Sequence, residues 1–215
     1  ALVDAIVAGL LAGNLFDMGA RETAARFAGD PPEFRDLVAK LPPPPWRCDD
    51  RAAAAGHLAT PPRRTLILVD NAGADVVLGA LPLARGFVRA GGAVTLAANR
   101  EPALNDVTAA ELRELLADAA AIDPVFGDGS IRVVDSGSAS PLIDLAGVSA
   151  ELAEAAAGPD VGLLVLLGMG RAVESNWSAR FTVPCLRVAM LKDPQVAARL
   201  GTRVPDAVVR HAAAG

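Results

Sequence analysis

The chain has 215 residues, 52% of them hydrophobic, which suits one α/β domain with a buried core and argues against a disordered protein. Its formal net charge of −5 argues against nucleic acid as the main partner, although a small phosphorylated substrate stays compatible because local charge governs such a site. The apolar stretch at residues 2–16 contains Asp4, lacks a basic leader and is too short to span a bilayer, so we expect neither a signal peptide nor a membrane partner.

Scarce histidine and cysteine limit the chemistry that the chain can perform. His57 and His211 are the two histidines, and both are expected to be ordinary surface residues. Cys48 and Cys185 fit no metal-binding or redox spacing, so we expect two free thiols in the cytoplasm, with a single disulfide as the alternative. A Ser-His-Asp or Cys-His nucleophile and a zinc site are therefore poorly supported. Carboxylates, amides, lysine, arginine and backbone dipoles must supply any catalysis.

Residues 1–62 are predicted to form a helical N-terminal segment that packs on the core. Apolar positions at three-to-four spacing predict helix up to about residue 42, where four prolines interrupt the chain. A polar, alanine-rich stretch follows. Residues 63–215 are predicted to form the α/β core, and both parts together make one structural domain.

From residue 64 onward, short apolar runs alternate with helical patterns. The predicted helices cover residues 75–90 and 108–121, the second with a capping box in which Thr108 precedes Glu111 by three positions. The predicted strands cover residues 65–69, 93–97, 131–134, 162–167 and 186–191. Apolar strands separated by helices predict an α/β fold, a Rossmann-like three-layer sandwich with a parallel sheet covered on both faces.

Each predicted strand is followed by polar or glycine-rich sequence. Ligands of such sheets bind beyond the carboxyl ends of the strands, so we expect these residues to share one edge. In chain order they are Asp70-Asn71, Asn99-Arg100 leading to Asn105-Asp106, Asp135-Ser136-Gly137-Ser138, Gly168-Met169-Gly170-Arg171 and Lys192-Asp193.

Two carboxylates and one amide make the best candidate for a metal site. Asp70, Asn71 and Asp106 would give an incomplete oxygen shell that leaves room for water and phosphate, which suits Mg²⁺ or Mn²⁺. The cation would polarise an attacking water, or Asp70 could attack directly and form an aspartyl-phosphate. The plainer interpretation is a strand-to-helix turn at Asp70-Asn71 and helix-terminus electrostatics at Asp106.

Two cations are candidates for phosphate contacts. Arg171 follows a glycine-rich turn, and Lys192 ends an apolar strand, where a buried and unpaired lysine would be costly. Loop amides around Gly168 and Ser138 would add to the stabilisation of developing charge. The competing interpretations are a surface pair between Arg171 and Glu174 and a snorkelling Lys192.

Taken together, the motifs resemble the metal-dependent damage-control phosphatase family, formerly a domain of unknown function. The similarity extends over nearly the whole chain. The matching segments are residues 9–17 (GLLAGNLFD), 69–73 (VDNAG), 102–108 (PALNDVT), 136–141 (SGSASP) and 168–171 (GMGR).

The resemblance implies a metal-dependent hydrolase of small phosphomonoesters, with 4′-phosphopantetheine, its damaged forms or sugar phosphates as substrates and Mn²⁺, Co²⁺, Ni²⁺ or Mg²⁺ as the metal. It assigns Asp70, Asn71 and Asp106 as metal ligands and catalytic residues, and Asn14 and Asp17 are expected to approach the same rim as supporting residues. The candidate substrate-binding residues are Asn99, Asn105, Ser136, Ser138, Gly168, Gly170, Arg171, Asn176 and Lys192.

One position departs from the pattern of the family. The subfamily motif begins with glutamate, and Leu167 stands there in this chain. A catalytically impaired regulatory domain is therefore one alternative. A Rossmann-like enzyme that binds a nucleotide or S-adenosylmethionine is the other, although Asn99-Arg100-Glu101 fits poorly with the acidic residue that would hold a ribose. The oligomeric state is left open.

Overall fold

The computed structural model describes residues 2–15 and 33–215, and this part of the chain contains one seven-stranded sheet. The order across the sheet is β1-β7-β6-β5-β2-β3-β4. The strands are β1 (Cys48–Asp49), β2 (Arg64–Leu68), β3 (Ala93–Ala98), β4 (Ile131–Asp135), β5 (Val161–Leu167), β6 (Cys185–Leu191) and β7 (Asp206–Ala212).

Helices cover both faces of the sheet. The α-helices of the described residues are α1 (Leu2–Leu15), α2 (Phe34–Ala39), α3 (Arg51–Ala59), α4 (Leu81–Arg89), α5 (Ala109–Ala120), α6 (Ala150–Ala156) and α7 (Pro194–Arg199). Wider π-helical turns occupy Asp75–Ala80 and Gly170–Ser175. The helix α5 begins with the predicted capping box, in which Thr108 and Glu111 bond each other's backbone amides.

Strand β2 shows how the two faces acquire their cores. Ile67 points into a cluster shared with α1, α3, α4 and α5, whereas Leu66 and Leu68 point into a second cluster shared with α6 and α7. Alternate residues of a strand face opposite sides, so a continuously apolar strand needs cover on both. The predicted three-layer α/β fold is confirmed.

The five predicted strands are found as β2 to β6, and every pair among them is parallel. The sequence missed β1 and β7. Strand β7 runs antiparallel to β6 over seven residue pairs, so the sheet is mostly rather than wholly parallel. The helix predicted from residue 75 starts as a π-helical turn and becomes regular only at Leu81.

The sequence predicted two ordinary surface histidines, but the structure places them against each other. The rings of His57 in α3 and His211 in β7 stack with centroids 5.3 Å apart, and both residues are half-buried. Burial and the nearby His57 lower the pKa of His211. Cys48 and Cys185 are free thiols, as predicted. Among the described residues, no helix is long and apolar enough to cross a membrane.

Helix α1 packs closely against the turn that leads into α4. A Cβ atom at Gly13 would lie 2.8 Å from the carbonyl oxygen of Ala74 and 2.9 Å from the Cα atom of Asp75, distances that real Cβ contacts do not show. Val7, Leu10 and Leu11 of the same helix are buried in the main core. The glycine therefore lets the backbone of α1 reach the loops at the carboxyl ends of the strands.

We expect Gly13→Ala to lower the free energy of unfolding by roughly 1–3 kcal/mol, because backbone atoms on both sides must move to admit the methyl group. The matched control is Gly56→Ala in α3, where an added Cβ meets nothing within 4 Å. That change should raise stability by about 0.5–1 kcal/mol through helix propensity. Urea denaturation measures both, and equal effects would contradict the close approach of α1.

Candidate active site

A short backbone ladder brings Asp70 and Asp106 together at the carboxyl ends of β2 and β3. Val107 donates its amide to the carbonyl of Asp70 at 3.0 Å, and Ala72 donates to the carbonyl of Asn105 at 2.9 Å. Asn71 and Asp106 form an isolated antiparallel bridge. The loop before α5 therefore runs beside the end of β2, and both carboxylates are buried.

The guanidinium of Arg171 lies between the two carboxylates. Its Nη1 donates to Asp70 Oδ1 at 2.5 Å, and its Nη2 donates to Asp106 Oδ2 at 2.8 Å and to Asn99 Oδ1 at 2.9 Å. Arg171 is 1% exposed. The proposed surface pair with Glu174 is therefore wrong, because Arg171 is a buried partner of the site carboxylates and Glu174 is exposed.

A second set of hydrogen bonds holds the other oxygen of Asp70. Asn71 Nδ2 donates to Asp70 Oδ2 at 2.7 Å and to Asp75 Oδ2 at 2.9 Å, and Asn14 Nδ2 donates to Asp75 Oδ2 at 2.8 Å. Asn14 Oδ1 accepts the backbone amide of Met190 at 2.9 Å, which fixes the orientation of its amide group. Both asparagines thus present nitrogen to the carboxylates.

Asp75 is the member of this cluster that the sequence reasoning missed. It stands one helical turn after Asn71, at the start of the π-helical turn, and was assigned only to a helix. The available signal was its spacing, because an acid four residues after Asn71 on a nascent helix returns to the same face.

Among the described residues, the cluster contains more acidic than basic side chains. Asp70, Asp75 and Asp106 contribute three carboxylates, against the guanidinium of Arg171 and the ammonium of Lys192. Burial raises the pKa of Asp70 to about 7, Arg171 opposes this, and Asp75 and Asp106 add to it. Burial also raises the pKa of Asp75 and of Asp106. Burial is the main cause of all three raised pKa values, and the nearby cations offset it only in part.

Two glycines are required by close approaches in the glycine-rich loop. Gly168 has a φ of +84°, and a Cβ atom there would lie 1.8 Å from Asp70 Oδ2. A Cβ atom at Gly170 would lie 2.5 Å from the carbonyl oxygen of Pro141. The loop after β5 can lie against Asp70 and against the serine-rich loop only because both side chains are absent.

Two amides proposed for phosphate binding are already used within the protein. Gly168 donates its amide to the carbonyl of Val188 at 3.0 Å, and Ser138 donates its amide to Ser136 Oγ at 3.2 Å. In this arrangement the two amides are therefore not free to donate hydrogen bonds to a phosphate.

The other candidate residues surround the cluster at different depths. Asn99 is buried, and its Nδ2 donates to Asp106 Oδ2 at 3.1 Å. Asn105 is half-buried. Asn176 is buried, and its Nδ2 donates to the carbonyl of Arg171 at 3.0 Å, so it supports the loop that carries the arginine. Asn99 and Asn176 thus hold neighbouring groups in place.

Lys192 lies at the rim, as expected from its position after β6. It is half-buried, and its Nζ donates to the carbonyl of Asn14 at 2.9 Å. Leu167, at the position of the family glutamate, is 2% exposed and packs in the main core cluster. Asp17 lies outside the described residues.

The donor set can be compared with what a hard cation requires. Asp70, Asp106 and the side-chain oxygen of Asn71 are of the donor type that hard cations prefer, and a divalent cation would offset the charge of the buried acids. As the side chains stand, no group of three or more His, Cys, Asp or Glu residues in the described ranges could hold a metal ion. A cation would therefore rely on the amide oxygen of Asn71 as its third protein ligand.

The class of protein follows from the fold and the place of the site. This is an α/β protein with a mostly parallel sheet, and its buried polar cluster lies at the carboxyl ends of the strands, where such folds bind ligands. A family model described as "Damage-control phosphatase ARMT1-like domain" matches residues 1–208. The chain belongs to this family.

Named relatives agree with that assignment. The chain is 38% identical over 209 residues to damage-control phosphatase At2g17340 of Arabidopsis thaliana, with 95% of this chain and 56% of the relative covered. It is 40% identical to pantothenate kinase 2 of the same plant, covering 96% of this chain and 26% of the relative. It is 30% identical to 4′-phosphopantetheine phosphatase of Mus musculus, covering 96% and 32%. The chain thus spans between about a quarter and 56% of the length of these relatives.

A solved structure supports the fold. A DUF89 family protein from Pyrococcus horikoshii aligns with a TM-score of 0.61 at 18% identity, covering 95% of this chain and 64% of that one. Membership of a phosphatase family favours the phosphatase interpretation over a nucleotide- or S-adenosylmethionine-binding enzyme.

Proposed function

We propose that this chain is a metal-dependent phosphatase that hydrolyses small phosphomonoesters. The observation that carries the proposal is the cluster of three buried acids at the sheet edge, where, within the described residues, Asp70, Asp75 and Asp106 lie near one guanidinium and one ammonium. A divalent cation and the phosphate that it binds would together complete the charge balance. Family membership supports the same chemistry.

In this proposal Asp70, Asn71 and Asp106 hold the cation. A cation bound there would supply Lewis-acid polarisation of the substrate phosphate and activation of a water molecule. Arg171 keeps the two carboxylates side by side through its two ion pairs. Asp75, which also accepts a hydrogen bond from Asn14, accepts one from the side-chain nitrogen of Asn71. The side-chain oxygen of Asn71 is therefore the atom that can face a cation.

The substrate is proposed to be 4′-phosphopantetheine or a damaged form of it, with sugar phosphates as the second choice. The support comes from the mouse relative named 4′-phosphopantetheine phosphatase and from the Arabidopsis thaliana relative named pantothenate kinase 2. Lys192, half-buried at the rim, is the proposed contact for the substrate phosphate. The proposed metals are Mn²⁺, Co²⁺, Ni²⁺ and Mg²⁺.

Removal of metal tests the function directly. We expect hydrolysis of p-nitrophenyl phosphate and of 4′-phosphopantetheine to stop in excess EDTA and to return when Mn²⁺ or Mg²⁺ is added, because in this proposal the cation polarises the phosphate and activates the water. Undiminished turnover in EDTA would contradict the proposal.

Titration of Mn²⁺ into the metal-free protein by calorimetry separates this function from the alternatives. A catalytically impaired domain would bind Mn²⁺ without turnover. A Rossmann-like enzyme would bind S-adenosylmethionine or a nucleotide when either is titrated in the same way, and the phosphatase should bind neither.

A further inference from the structure

A cavity of about 360 Å³ lies on the far side of the sheet from α1, between β6, β7 and the segment at residues 178–181. Three of its lining residues are arginines, Arg180, Arg187 and Arg210, and none of the described side chains that line it is an acid. Its volume falls at the lower end of the range of small-molecule pockets. None of its lining residues belongs to the buried polar cluster around Asp70 and Asp106.

Arg187 has an incomplete set of partners. The residue is fully buried, its Nε donates to the carbonyl of Asn176 at 2.9 Å, and its Nη2 donates to the carbonyl of Ala179 at 2.7 Å. Its Nη1 is buried and has no hydrogen-bond partner among the described residues. A buried guanidinium without a carboxylate is costly, so this atom marks a place where an anion would be stabilising.

Arg210 adds a second positive charge beside the first. The two arginines are directly paired across β6 and β7, where like charges repel each other. Arg210 donates to the carbonyl of Trp177, and its guanidinium lies 4.2 Å from the centre of the Trp177 ring. Among the described residues, no acid lies within ion-pair distance of Arg187, Arg210 or Arg180.

The cavity is well separated along the sheet from the buried polar cluster around Asp70 and Asp106. Arg187 is the third residue of β6, whereas Lys192 follows the last residue of that strand. Five residues of strand correspond to roughly 16 Å. The two sites therefore lie towards opposite ends of β6.

We propose that this cavity is a second binding site, for the oxyanion of a small metabolite. A phosphate or carboxylate group would accept from Arg210 and from Arg180 at the exposed rim, and the buried charge of Arg187, whose Nη1 has no hydrogen-bond partner among the described residues, would add to the attraction. Planar guanidinium groups are suited to both kinds of oxyanion. The proposal does not depend on the phosphatase activity.

Trp177 provides a local reporter, because it stacks on Arg210. In a Trp46→Phe background it is the one remaining tryptophan of the chain. Inorganic phosphate, titrated in EDTA at constant ionic strength against chloride, should change its fluorescence to saturation with a Kd of about 1 mM or tighter. Saturation by phosphate or sulfate assigns the site to tetrahedral oxyanions, and saturation by acetate or citrate assigns it to carboxylates. Absence of saturation by all four overturns the proposal.

Variants test the assigned residues. In the same background Arg210→Gln should weaken binding at least about tenfold, as expected for a lost charge-assisted contact, and the matched control Arg203→Gln, at an exposed position, should not. If Arg210→Gln does not fold, Arg180→Gln at the rim replaces it, with a smaller loss expected. Thermal denaturation gives a second readout, since bound anion raises the Tm. Equal binding by the folded arginine variant and by the control contradicts the site.

Discussion

Asp70→Asn is expected to lower kcat/KM for phosphomonoester hydrolysis by roughly 10²–10³-fold or more, the size seen when a group that stabilises developing charge is removed. Both oxygens of Asp70 accept hydrogen bonds, one from Arg171 and the other from Asn14 and Asn71. An amide nitrogen in either place would therefore meet another donor. The variant also removes a proposed metal ligand, so Mn²⁺ affinity measured by calorimetry should fall together with activity.

The matched control for this prediction is Asp118→Asn, which makes the same chemical change at an exposed position of α5. It should leave both kcat/KM and Mn²⁺ affinity unchanged. Circular dichroism must show that the Asp70 variant is folded before its kinetics are interpreted. If the folded Asp70→Asn protein had the activity of the parent, the proposed role of Asp70 in catalysis and metal binding would be wrong.

Gly168→Ala is expected to lower the free energy of unfolding by roughly 2–5 kcal/mol. The added Cβ would lie 1.8 Å from Asp70 Oδ2, and the φ of +84° is unfavourable for any residue with a side chain. Left-handed backbone costs about 1–2 kcal/mol, and overpacking adds about 1–3 kcal/mol. Activity should fall as well, because Asp70 must move to make room.

Gly73→Ala separates the cost of left-handed backbone from the cost of overpacking in the stability loss expected for Gly168→Ala. Gly73 has a φ of +71°, but a Cβ atom there meets nothing within 4 Å. Its replacement should cost only the backbone component of about 1–2 kcal/mol. Urea denaturation of both variants measures the difference, and equal losses would show that the contact with Asp70 is unimportant.

Local patterns were enough to predict much of the sheet. Strands β2 to β6 are apolar runs bounded by turn residues, and Thr108 and Glu111 stand at the spacing of a capping box, so these features follow from short stretches of sequence. Strand β7 was missed because its apolar run is only three residues long, between Asp206 on one side and Arg210 and His211 on the other. Strand β1 has only two residues, too few for any periodic signal.

The partners of a charge were harder to predict than its location. The glycine-rich loop placed Arg171 at the rim, but the sequence could not show that its guanidinium would be buried between Asp70 and Asp106. Asp75 was overlooked for a related reason, since its helical position hid its contact with Asn71. Such pairings depend on how loops from distant strands meet.

Asn14 and Met190 are joined by a hydrogen bond although 176 residues of sequence separate them. Chain-closure entropy must be overcome before contacts of such long range can contribute, and proteins dominated by them fold slowly. The backbone amide of Met190 in β6 completes the hydrogen bonds of Asn14, whose Nδ2 faces Asp70 and Asp75. During synthesis on the ribosome, the full set of hydrogen bonds of this cluster is therefore incomplete until β6 has emerged.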